Sequence, residues 1–163
     1  MKDILASIRL LQVTPPVDIS MIAKHLGINV WESKSLPENV AGKIMKDLNH
    51  GGDAGFSIVI RAQDYLVRKR FTVAHEIGHF LLHRHRLEGG PIIDSALYRS
   101  DLSTSMEAKA NGVAADLLMP WHLVLPEIHR GPTELANLFQ VSRQAMDIRL
   151  SSRMAREAVH SAV

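Results

Sequence analysis

At 163 residues the chain is long enough to bury a core and is expected to form one domain. With 46% hydrophobic and 22% charged residues it has a globular composition, which excludes a disordered or low-complexity chain. A net charge of +2 is too weak a field to argue for nucleic acid, and the lack of cysteine excludes disulfides and thiolate zinc sites, leaving histidine and carboxylate to hold any metal.

In chain order, Ile4, Leu5, Ile8 and Leu11 have helical spacing, and Pro15-Pro16 ends that element. Asp3 and Arg9 interrupt the apolar run, so no secretory leader is expected. No window approaches the roughly 18 apolar residues of a membrane span, and a soluble, cytoplasmic protein is expected. Asp18 can cap a second helix with Ile19, Ile22, Ala23 and Leu26 on one face and Gly27 as its stop. The period then changes. Ile28–Trp31, Val40–Met45 and Phe56–Ile60 read as strands around the turn-rich loop Asn49–Gly55, and predict a small antiparallel sheet of about three strands.

Asp64 can start a long helix whose Leu66, Val67, Phe71, Ala74, Gly78 and Leu81 face a core. Residues 84–101 read as broken structure, with Gly89-Gly90-Pro91 marking a surface loop. A third strong helix is expected from Ser103 or Ser105 to Leu118, closed by Pro120, with Met106, Ala110, Val113, Ala114 and Leu117 buried. After a short piece between prolines, Thr133 is expected to cap Glu134–Phe139, and Ser142 a last helix from Arg143.

The long helix carries His75-Glu76-Ile77-Gly78-His79. Residues four apart lie on one helix face, so His75 and His79 can offer two imidazoles to one metal. Glu76 sits beside them, able to take a proton from water that the metal activates. The bland alternative is a helix with two surface histidines and a solvated glutamate. Phe71, Ala74, Phe80, Leu81 and Leu82 argue against it, since imidazoles and a carboxylate buried among them need partners. Gly78 is a poor helix former, and its missing side chain is expected to leave room beside the metal.

Catalytic zinc usually takes three protein ligands, and His83, His85, Asp94, Asp101 and Glu107 are candidates for the third. His75, His79 and His83 would span two turns, too far for one ion with Zn–N bonds of about 2.0–2.1 Å. Glu107 is better placed, because a ligand from a second packed helix approaches from the side. Simple compensation of the helix dipole is the competing explanation for Glu107. Asn111, one turn on, could hydrogen-bond a zinc histidine and fix its tautomer.

Arg70-Phe71-Thr72-Val73-Ala74-His75-Glu76-Ile77-Gly78-His79, then Glu107-Ala108-Lys109-Ala110-Asn111 and Ala114-Ala115-Asp116-Leu117-Leu118-Met119-Pro120, resemble the ImmA/IrrE family of bacterial and phage metallopeptidases over roughly residues 15–150. The resemblance implies a zinc cofactor, with His75, His79 and Glu107 as ligands and Glu76 as catalytic base. It also implies an α+β, minimal zincin-like fold: a small antiparallel sheet packed on a mainly helical core, with C-terminal helices. In a single domain of residues 1–163, residues 15–130 would be the catalytic core and 131–163 a helix-turn-helix-like segment. The implied partner is an Xre-type helix-turn-helix repressor or antitoxin encoded nearby, in a stress response or a toxin–antitoxin-like module. Two positions depart from the family pattern. Gly112-Val113 stand where a larger residue is common, and Arg61 where an Asn is common; if Arg61 ends an edge strand beside the cleft, substrate preference is affected.

The expected reaction is peptide hydrolysis, zinc polarising the carbonyl while Glu76 moves the proton to the leaving amine. Tyr98 and His122 could stabilise the developing oxyanion, and neither has a motif behind it. Two rival readings stand beside hydrolysis. Leu135–Met146 reads like a helix-turn-helix, but residues 133–163 carry four arginines against three acidic residues, little charge for phosphate binding. Leu135, Leu138, Phe139, Val141, Ala145, Met146 and Ile148 are more simply packing residues. The other rival is a non-proteolytic, metal-binding partner or toxin, against which the presence of Glu76 argues.

Overall fold

The computed structural model describes the backbone of residues 2–87, 92–95 and 104–161, and the side chains of residues 3–87 and 105–152. Helices α1 (Lys2–Leu11) and α2 (Ile19–His25) form where their apolar spacing predicts, and the Asp18 carboxylate caps α2 by accepting the Met21 N–H at 3.0 Å. Four strands follow in one sheet, β1 (Ile28–Ser33), β2 (Val40–Lys46), β3 (Phe56–Arg61) and β4 (Ile92–Ser95), in the order β1-β3-β2-β4.

Two features of the sheet differ from expectation. It is mixed, because β3 inserts between β1 and β2, parallel to the first and antiparallel to the second. Alternation along a strand identifies its buried face but not the direction of its partner. Ile58, for instance, lies opposite both Val30 and Ile44. The fourth strand pairs antiparallel with β2 from within the stretch read as a loop. Its four residues are too short a run for periodicity to register. The Gly89-Gly90-Pro91 turn lies outside the described residues. Strand β3 is therefore central rather than an edge. At its end Arg61 donates to the carbonyls of Pro37 and Val40, the latter at 2.7 Å, which ties down the chain entering β2.

Across the sheet lies α3 (Leu66–Leu87), covered on its other side by α4 (Thr104–Leu118). Residues Thr72 to Phe80 are buried on every side, so the single apolar stripe read from sequence understates this helix, while Leu66, expected to face the core, is 60% exposed. A side chain at Gly42 of β2 would collide with Thr72, so that glycine sets how closely α3 lies on the sheet.

The chain ends in α5 (Trp121–Val124), a 3₁₀ turn (Leu125–Arg130), α6 (Gly131–Phe139) and α7 (Arg143–Ser161). Thr133 lies inside α6 rather than capping it, and its hydroxyl accepts from Arg143. Ser142 caps α7 as expected, accepting the Ala145 N–H at 3.1 Å. Fully buried Leu135, Phe139 and Met146 join the hydrophobic cluster that contains Ile77 and Leu118. Ile148, read as a packing residue, is 64% exposed. Among the described residues no helix is long and apolar enough to cross a membrane.

Candidate metal centre

Two histidines one turn apart on α3 and a carboxylate from the first turn of α4 converge in the space between these helices. The approach is close because residue 78 lacks a side chain: a Cβ there would lie 2.8 Å from the Ala110 carbonyl oxygen of α4. Gly78 thus makes room for a helix backbone, not for the metal itself as the sequence suggested. With α4 seated against it, Glu107 reaches both imidazoles, its Oε2 3.3 Å from His75 Nε2 and its Oε1 3.3 Å from His79 Nε2. The two Nε2 atoms are 3.0 Å apart, and the rings meet edge to face.

These separations suit a metal. Tetrahedral bonds of about 2.0–2.1 Å place neighbouring ligand atoms about 3.3 Å apart, and the three observed edges are 3.0, 3.3 and 3.3 Å. Among the described residues, the donor atoms of these three lie within 4.8 Å of one another, so they could hold a metal ion. Two imidazoles and one carboxylate also match the donor set of zinc hydrolases, with a fourth position left over.

The protonation states agree with such a role. Burial, and then the neighbouring His75, lower the His79 pKa to about 4, partly offset by Glu107. At neutral pH the ring is therefore uncharged, and its Nδ1–H tautomer presents a lone pair at Nε2. Asn111 is where the sequence suggested, its Oδ1 2.9 Å from His75 Nδ1 and able to accept that N–H while Nε2 faces the site. Glu76 follows His75 and is completely buried, in surroundings where charge interactions are strong.

Among the described side chains, the other candidates do not join this group. His83 is buried one turn beyond His79, with ring centroids 5.7 Å apart. His85 is exposed. The backbone of Asp94 belongs to β4. Asp101 and Tyr98 lie outside the described residues. His122 is engaged elsewhere, its Nε2 donating to the Gln12 carbonyl at 2.8 Å, which removes it as an oxyanion donor in this arrangement.

Sequence reasoning missed the residues that hold the far end of α4. Gln12 Nε2 donates to the Asp116 and Leu117 carbonyls, each at 2.9 Å, and Arg149 donates to the Met119 carbonyl at 3.0 Å. Arg149 also pairs with Asp116 at 2.8 Å and lies over the Trp121 ring. These contacts satisfy carbonyls that a helix end leaves open. They cross about a hundred residues for Gln12 and thirty for Arg149, so no local pattern announces them.

Residues 23–151 match a protein family described as the IrrE N-terminal-like domain, peptidase M78. No curated protein matches the chain by sequence. Among solved structures, a Mycobacterium tuberculosis transcriptional regulator superposes with a TM-score of 0.59 at 18% identity. That alignment covers 93% of this chain and 47% of the regulator, so this chain spans about half of it. At this identity the likeness is one of fold.

Proposed function

We propose that this chain, which belongs to the peptidase M78 family of IrrE N-terminal-like domains and is a metalloprotease domain of that family, is a zinc endopeptidase whose substrate is a helix-turn-helix repressor or antitoxin. The observation that carries the metal reading is the convergence of His75, His79 and Glu107 within 4.8 Å. A zinc ion held there supplies Lewis-acid polarisation of a carbonyl and makes water more acidic. Glu76 takes up the proton of the attacking water and returns it to the leaving amine. His75 and His79 present neutral Nε2 atoms, and Asn111 keeps His75 in the required tautomer by accepting its Nδ1–H. The family supports a protein substrate; the repressor, with a role in stress response or a toxin–antitoxin pair, extends that reading to one class of protein.

The rival reading, DNA binding through α6 and α7, has less support. Arg143 spends its guanidinium on Asp147 at 2.9 Å and on Thr133, and Arg149 is buried against Asp116 and Trp121. Cations already paired with the protein's own groups contribute less to phosphate binding.

The test compares wild type with Glu76→Gln, measuring zinc content and cleavage of the repressor or antitoxin encoded nearby. One zinc per chain is expected in both proteins, with cleavage slowed about 10²- to 10⁴-fold in the variant. Wild type that holds one zinc, leaves that repressor intact and acts in cells just as Glu76→Gln does would overturn the peptidase reading.

A further inference from the structure

The two candidate zinc histidines differ in what supports them. His75 Nδ1 meets Asn111 at 2.9 Å, whereas His79 Nδ1 is buried with no hydrogen-bond partner among the described residues. One turn further along α3, His83 Nε2 is likewise buried with no partner among the described residues. We propose that His83 is the positioning residue for His79, its Nε2 accepting the His79 Nδ1–H directly or through one water. This inference rests on the metal reading given above and deepens it.

The chemistry of the two rings is complementary. A histidine that presents Nε2 to a metal carries its proton on Nδ1, so His79 has a donor to place. His83 hydrogen-bonds the backbone of Met106, the residue before Glu107. A carbonyl can only accept, so His83 donates to it, and with Nε2 unpartnered the donor is Nδ1. That tautomer leaves a lone pair on His83 Nε2. A proton donor and a proton acceptor, each buried and unsatisfied among the described residues, thus occupy successive turns.

Geometry supports the pairing. The His83 ring lies beside that of His79. With centroids 5.7 Å apart, nitrogens turned toward each other would lie within about half an ångström of hydrogen-bond range. The helix is also distorted at this position. His83 departs from helical geometry, at φ −131° and ψ 21°. Its ring then links the ligand helix to the start of α4, from Met106 through His83 to His79.

The test is zinc affinity by chelator competition for wild type, His83→Leu and His83→Gln, with thermal unfolding of each metal-free protein. His83→Leu is expected to lose 10- to 100-fold in zinc affinity while leaving the metal-free protein about as stable. His83→Gln, which keeps an acceptor, should recover most of that loss. In zinc-loaded wild type the His79 Nδ1–H should appear as an exchange-protected proton resonance that His83→Leu abolishes. Unchanged affinity and an unchanged resonance in His83→Leu would overturn the proposal while leaving the metal site standing. If His83→Leu does not fold, His83→Gln decides by the same resonance. Failure of wild type to bind zinc would instead overturn the metal reading itself.

Discussion

His79 is the residue at which burial and chemistry meet most directly. In the metal-free protein its folded pKa is about 4 against an ordinary 6.5, chiefly from burial and then from His75. Above pH 6.5 it is neutral whether folded or unfolded, and its contribution to stability is fully present. As pH falls from 6.5 towards 4, the unfolded chain takes up a proton that the folded one refuses, and stability drops. Below about 4 both states are protonated and the loss is complete. The unfolding free energy of the metal-free protein, from urea titration, should therefore fall across this window, by about 3 kcal/mol at most from this group, and His79→Gln should flatten that part of the profile. At this scale much was legible. The spacing of His75 and His79 places them on one helix face, and the motif around Glu107 and Asn111 identified their partners. The uses of His83, Gln12 and Arg149 were not legible, because each depends on an atom from another element or on a local departure from helical geometry.

Among the elements, the α3–α4 pair decides whether a site exists, and Gly78 sets its spacing. Gly78→Ala should improve the intrinsic helix propensity of α3 by about 1 kcal/mol. The added methyl would lie 2.8 Å from a backbone oxygen of α4, which cannot rotate away as a side chain could. Overpacking of this kind costs about 1–3 kcal/mol. The variant should therefore unfold at lower urea than wild type and hold zinc more weakly, because Glu107 is pushed from the histidines. A more stable variant with unchanged zinc affinity would show that the helices are not in forced contact. Strands β1 to β3 and all the longer helices were legible from period and caps. The parallel pairing of β1 with β3 was not, since pleat alternation is the same whichever way a partner runs. Nor was β4, whose pairing with β2 rather than its own composition makes it a strand.

For the molecule as a whole, metal and fold should be coupled, because His75, His79 and Glu107 come from two helices that meet only when the chain is folded. Free zinc at 100 times its dissociation constant should stabilise the protein by about 2.7 kcal/mol, read as a raised melting temperature. Glu107→Ala should lose most of that shift. Duplex DNA should give no salt-dependent binding of the sort that phosphate contacts produce; a steep salt dependence would revive the rival reading of α6 and α7. The sequence by itself determined the helices, the buried histidine motif and the resemblance that paired it with Glu107, since these are written in local spacing and in residue types with few other uses. Only the tertiary structure decided the mixed sheet, the contact of Gly78 with Ala110, the clamps on the end of α4 and the complementary nitrogens of His79 and His83. Each is a distance between residues far apart in the chain or a backbone angle, and neither quantity has a period that a sequence can display.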